Sequence, residues 1–291
     1  MYTTYPLFRI QEDMVSNGIK APESIIADGK IHRHGIKKRH WYVVYLSPII
    51  VCFYGDWKSN QKFKVIISDE HRTFSEDKVL NETLKNFAKS QCANRIQNQR
   101  ESKRKAQYIW AHARDAIFHD YLKRKRVLPF GTKIDVYENL LVPLTDGKSI
   151  HSIQLIQPSG KKIFLKGGRT KGLYFSIRME RKPKEVLITE GFATAATLYM
   201  ERKIPAVVAF NSGNLMEVSK NIRKRFPNTT ITICGDNDHS TEGNPGKKAA
   251  MLAAKTCGGV WEIPDFTGFN PSRNETDFND LYLMKLESEN E

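Results

Sequence analysis

Three carboxylates in this 291-residue chain have the setting of a metal-dependent phosphoryl-transfer site. Glu190 follows the apolar run Val186-Leu-Ile-Thr and precedes Gly191, while Asp236 and Asp238 follow the run Thr232-Ile-Cys and Gly235. Short continuous runs of this kind read as strands buried on both faces. Open parallel sheets collect ligands at the carboxyl ends of their strands. If the segment after Gly235 stays extended, Asp236 and Asp238 converge on one cation. Hard carboxylate oxygens suit magnesium or manganese, with water and substrate phosphates completing the shell. A single acid after a strand is commonplace, but two strands of one sheet ending this way are not. A further acidic turn, Asp277-Phe-Asn-Asp280, lies near the C-terminus.

The elements that must position these acids alternate between strand and helix over residues 185–291. Strands are expected at Val186-Leu-Ile-Thr, Ala206-Val-Val-Ala-Phe, Thr229-Thr-Ile-Thr-Ile-Cys and Val260-Trp-Glu-Ile. Between them Phe192 to Glu201, Leu215 to Phe226 and Gly246 to Thr256 read as helices, two of them rich in alanine. The pattern predicts a mainly parallel sheet covered on both faces. Residues 128–184 read as β-rich, with a hairpin turn at Asp146-Gly147. They end in the loop Lys166-Gly-Gly-Arg-Thr-Lys-Gly172, where Lys166, Arg169 and Lys171 alternate with glycine and suit an anion. Residues 79–127 read as a basic helical connector of one helix or two, closing on Lys123, Arg124, Lys125 and Arg126. Residues 1–78 read as a small β-rich domain, in which Trp41, Tyr42, Phe53 and Trp57 either form a packed core or stack on bases.

Composition narrows the partners. Lysine and arginine number 46 against 32 aspartates and glutamates, for a net charge of +14. Such a balance points to a polyanion, because every neutralised phosphate releases counterions. The four cysteines, Cys52, Cys92, Cys234 and Cys257, form no C-x-x-C pair, which excludes a zinc ribbon and a disulfide framework. No apolar run approaches the ~18 residues of a membrane span. The N-terminus lacks the layout of a signal peptide, so a cytoplasmic protein is expected, in a bacterial cell or a phage-infected host.

The segments Leu187-Ile-Thr-Glu-Gly-Phe, Ile233-Cys-Gly-Asp-Asn-Asp and Asp277-Phe-Asn-Asp-Leu resemble the Toprim domain of primases, most nearly those of plasmids and satellite phages. The resemblance extends to Asn211-Ser-Gly-Asn-Leu, the helix start Gly246-Lys-Lys-Ala-Ala, the basic glycine loop, His119-Asp-Tyr-Leu-Lys-Arg-Lys and Gly55-Asp-Trp-Lys. It implies an α/β fold: a Rossmann-like Toprim domain over 185–291, preceded by a mixed α+β basic subdomain and the β-rich N-terminal domain. It also implies a DNA primase that builds short RNA primers on single-stranded DNA from ribonucleoside triphosphates, beside a separately encoded replicative helicase. Glu190, Asp236 and Asp238 would be the catalytic, metal-binding acids, and Asp277 and Asp280 supporting metal ligands. Lys166, Arg169, Lys171, Lys123, Arg124, Lys125, Arg126 and Lys247 would contact nucleotide or DNA. Glu190 acts either as a ligand or as an acid/base group.

Four departures qualify the resemblance. The zinc module of replicative primases has no counterpart in the cysteine spacing. An acid often found three or four residues after the glutamate is replaced by Ala193 and Thr194. Gly147-Lys-Ser149 is no phosphate-binding P-loop, since Val142 stands where its first glycine belongs. The chain closes at Glu291, so no helicase-binding C-terminal domain is expected. A Toprim nuclease and a non-catalytic DNA-binding replication protein are the competing readings.

Overall fold

The computed structural model describes residues 4–46, 50–57, 59, 61–67, 74–271 and 274–289. Two compact units divide the chain, Met1–Ala93 and Asn94–Glu291. In the first, α1 (Thr4–Ser16) precedes four strands, β1 (His32–His34), β2 (His40–Tyr45), β3 (Ile50–Asp56) and β4 (Lys62–Ile67), paired antiparallel in sequential order. Ile10 and Met14 of α1 pack on Tyr42, Val44, Cys52 and Tyr54. The N-terminal unit is therefore not purely β. Leu7, Ile10 and Met14 make a short stripe at helical spacing that is easy to overlook beside the β-branched runs that follow.

The helix α2 (Phe74–His112) is a single element of 39 residues. It starts before the expected connector and carries the unit boundary within it. The second unit continues with β5 (Arg114–Asp115), α3 (Asp120–Lys125), β6 (Lys133–Ile134), β7 (Leu140–Thr145), β8 (Ile150–Ile156) and β9 (Lys162–Phe164). Its five strands form one antiparallel sheet in the order β5-β6-β7-β8-β9. The expected hairpin turn joins β7 to β8: the Asp146 carboxylate accepts from the amides of Lys148 and Ser149, both at 2.9 Å.

The C-terminal part runs β10 (Phe175–Ile177), β11 (Glu185–Thr189), α4 (Phe192–Arg202), β12 (Ala206–Val208), α5 (Ser212–Arg225), β13 (Thr230–Cys234), α6 (Pro245–Cys257), β14 (Val260–Glu262) and α7 (Phe278–Ser288). Its sheet has the order β10-β12-β11-β13-β14 and is parallel except for the edge strand β10. The chain leaves β11 on one side to form β12, then returns past it to β13. A crevice therefore opens at the carboxyl ends of β11 and β13, where the strand order reverses. Leu215, Val218 and Ile222 of α5 join Ala250, Ala253 and Ala254 of α6 on one face. The other face carries α4, whose Phe192, Ala195 and Leu198 share a core with Leu140, Val142, Leu144 and Ile156 of the antiparallel sheet. Residues 128–184 and 185–291 thus bury one continuous apolar cluster.

Candidate active site

Glu190 and Asp236 stand at the ends of adjacent strands. Thr189 is in register with Cys234, so the residues that follow each strand meet at the crevice. Glu190 also faces the first turn of α5, where the backbone N–H of Ser212 hydrogen-bonds to its carboxylate. Free amides and the helix dipole make a helix N-terminus a favourable place for a negative charge. Glu190 is held at the tip of β11 from one side, and its Oε1 is buried with no hydrogen-bond partner. Asp236 Oδ1 is buried and equally unpartnered.

Asp238 is fixed by its backbone and by a neighbour. Its N–H donates to Asn244 Oδ1 at 3.0 Å, and its Oδ2 accepts from the Gly246 N–H at 2.8 Å. Asn244, the N-cap of α6, also accepts from Lys247 N–H and donates to Asn237 Oδ1. Gly246 has to be glycine: a Cβ there would stand 2.5 Å from the Asp236 carbonyl oxygen and 3.0 Å from Asp238 Oδ2. Gly246→Ala is therefore expected to cost about 1–3 kcal/mol as overpacking and to displace Asp238. The check is a denaturant melt alongside the activity assay described below; an unchanged midpoint would contradict the steric argument.

Asp277 and Asp280 serve the fold visibly. Asp277 caps α7, its Oδ1 accepting from Asp280 N–H at 2.9 Å, while Asp280 Oδ2 accepts from the N–H groups of Thr276 and Asp277 at 3.0 and 3.2 Å. The remaining Asp277 oxygen accepts from Thr194 Oγ1 at 3.0 Å. Thr194, one of the two positions where an extra acid was looked for, is thus a donor to an acid from elsewhere in the chain. Lys125 Nζ reaches Asp280 Oδ1 at 2.9 Å and supplies the local countercharge.

Burial and mutual repulsion raise several carboxyls of this cluster. Burial, and then the charges of Asp238 and Asp277, raise the Glu190 carboxyl to about 7. Burial, followed by the charges of Glu190 and Asp277, raises Asp236 to about 8. Asp277 is raised too, by burial and by Asp280. Burial works against the Lys125 ammonium, but the charges of Asp277 and Asp280 outweigh it and raise its pKa. Like charges sharing a dry site hold their protons in this way.

The donors fit a hard, hydrated divalent cation. Two buried carboxylate oxygens lack any partner, and all the candidate donors are oxygens. Among the described residues no three His, Cys, Asp or Glu side chains are already gathered into a cage. An ion held here would keep most of its water, as magnesium does.

The basic residues sort differently. Of the α3 cluster, Lys125 alone pairs with the acids; Lys123, Arg124 and Arg126 are exposed, and Arg126 forms the left-handed C-cap at φ 50°. Lys247 places its ammonium 5.5 Å from the centroid of the Trp261 ring. Arg169 and Lys171 line a cleft of about 910 Å³ with Arg95, Lys148, Lys224 and Arg225 as its other cations. Arg169 Nε is buried there without a partner. Lys166 is exposed in the same loop. One residue escaped sequence reasoning: Lys162 of β9 lies with Nζ 4.0 Å from where a side chain on Gly191 would begin, and 5.7 Å from the Tyr121 ring centroid. Its place beside Gly191 depends on pairing between distant segments, and no local signal marks it.

Residues 185–288 match the family model of the Toprim domain. Two curated relatives, both DNA primase TraC of Escherichia coli, are 37% and 35% identical over 129 and 123 residues. The matched stretches cover 42% and 40% of this chain but only 12% and 8% of those much longer proteins. Among solved structures, the DnaG primase catalytic domain bound to ssDNA is similar over 68% of this chain and 78% of its own, at 12% identity and TM-score 0.45. A DNA primase domain from Pseudomonas aeruginosa is similar over 43% and 41%, at 17% identity and TM-score 0.32. Residues 185–288 are a Toprim domain, and the likeness to the TraC primases agrees with the primase resemblance read from the sequence.

Proposed function

We propose that the protein is a DNA primase that joins ribonucleotides into short primers on a single-stranded DNA template, in plasmid or phage replication. The observation that carries this reading is the pair of buried, partnerless carboxylate oxygens at the ends of two neighbouring parallel strands, Glu190 Oε1 and Asp236 Oδ1. Glu190, Asp236 and Asp238 would hold magnesium or manganese, with Asp277 and Asp280 as supporting acids. The cation, when bound, supplies the positive charge that favours hydroxyl attack and stabilises the phosphates. Glu190, raised to about 7, is suited to hold or take a proton near neutral pH if it is not a ligand. Lys162, Arg169 and Lys171 would neutralise the phosphates of incoming nucleotide or template, with Lys166 and the α3 cations around them. A separately encoded helicase would supply the single strand.

The test is direct. The protein is incubated with single-stranded DNA, labelled ribonucleotides and either metal. Short labelled oligomers are expected, and they should vanish in Glu190→Gln. Degradation of the DNA would replace this reading with a nuclease. DNA binding without either product would replace it with a non-catalytic role.

A further inference from the structure

We propose that one corner of the N-terminal sheet is a stacking surface for unpaired nucleic-acid bases. Alternation along the strands divides this sheet. Tyr42, Val44, Cys52 and Tyr54 turn toward α1 and build the core. Arg33, Trp41 and Gly55 fall on the opposite face, with Arg33 in register with Trp41 and Trp41 with Gly55. Trp57 follows β3, and its N–H is tied to the Arg39 carbonyl at 3.1 Å. The two indoles stand 5.6 Å apart between centroids at 38°, and the Arg33 guanidinium lies 5.1 Å from the Trp57 ring centroid.

The pair is held in place. A Cβ on Gly55 would stand 2.2 Å from the Gln61 carbonyl oxygen and 3.1 Å from Trp41 Nε1, so only glycine lets Trp41 lie where it does. Asp56, the acid beside the pair, is buried and bound to Arg39, with 2.5 Å from Arg39 Nε to Asp56 Oδ2. Trp57 is nevertheless 48% exposed, and Lys37, Lys38 and Lys62 are exposed cations on neighbouring turns and strands.

The occupant follows from these features. Fixed aromatic faces ringed by cations are what sequence-tolerant single-strand binders present, because every base has a face to stack and every link a phosphate. A duplex hides those faces. An acidic peptide would use the lysines and leave the indoles idle. The inference rests on the primase reading only for the strand's identity as template; the surface needs no catalysis to bind it.

The full-length chain is titrated with oligo-dT of about 16 nucleotides in EDTA, with tryptophan emission as the readout. Quenching is expected. Trp57→Ala should lose much of the quench and about tenfold or more in affinity, while Trp57→Phe, which keeps a stacking face, should bind within a few-fold of the unaltered chain. Lys62→Glu, on the exposed side of β4, should weaken binding and flatten its salt dependence. Circular dichroism confirms folding, and if Trp57→Ala unfolds, the other two variants decide. Unchanged binding in Trp57→Ala or in Lys62→Glu, or equal quenching by duplex DNA, would overturn the proposal. Absent primer synthesis in the unaltered chain would sink the catalytic reading and leave this one standing.

Discussion

Asp236→Asn should stop primer synthesis and, in EDTA at pH 8, make the protein more stable than the unaltered chain. The two effects have one cause. Asp236 is buried, unpartnered at Oδ1 and raised to about 8, with Glu190 raised to about 7. The folded chain therefore holds protons that the unfolded chain releases near pH 4. By linkage, the stabilisation is complete below about pH 4 and is lost as pH rises through 7 and 8. Asparagine has no charge to lose, so its share of that decline disappears. A gain of the order of 1 kcal/mol or more at pH 8 corresponds to a rise of about 2–4 °C for a unit of this size. Below about pH 4, where Asp236 is neutral in the folded and the unfolded chain alike, the two proteins should melt together. Thermal melts at the two pH values are the check, and a variant that melts lower at pH 8 would show that Asp236 has a structural partner. Added magnesium should reverse the order by stabilising the unaltered chain alone.

Lys125→Ala should destabilise the protein markedly at neutral pH. Lys125 is the countercharge of Asp280, at 2.9 Å, and its charge also bears on the buried Asp277. Removing it leaves two acids of one capping box facing each other beside Glu190 and Asp236. Breaking a fully buried pair costs ~3–5 kcal/mol; with the lysine 29% exposed, about 2 kcal/mol at pH 7 is expected here. The cost should shrink as pH falls and the raised carboxyls take up protons. Urea melts at pH 7 and pH 4.5 separate this from simple loss of packing, which would cost the same at both.

The acids at the strand ends were legible because the signal is local. A β-branched run that stops at Glu190 or at Gly235-Asp236 says where the side chain must emerge, and the parallel pairing of β11 with β13 does the rest. The turn Asp277 to Asp280 carried a second local signal that the acid-cluster reading passed over. An aspartate, two residues and another acid before an apolar run is a helix start, and the structure has α7 there with a complete capping box. Lys162 and Thr194 could not be found this way, since their roles come from contacts with segments far off in sequence. The edge strand β10 was also illegible: three residues after a glycine loop carry too little periodicity. The helix α1 was missed for a different reason, its stripe of Leu7, Ile10 and Met14 being short beside the β-branched runs that follow.

The cluster that joins Phe192, Ala195 and Leu198 to Leu140, Val142, Leu144 and Ile156 has a consequence for how this domain can be inherited. A Toprim unit that sealed its own surface could be cut from one gene and joined to another at its first strand. Here a cut before Glu185 would wet a whole apolar helix face together with the sheet that covers it. Recombination could move these two layers only as a pair, so the antiparallel sheet travels with the parallel one.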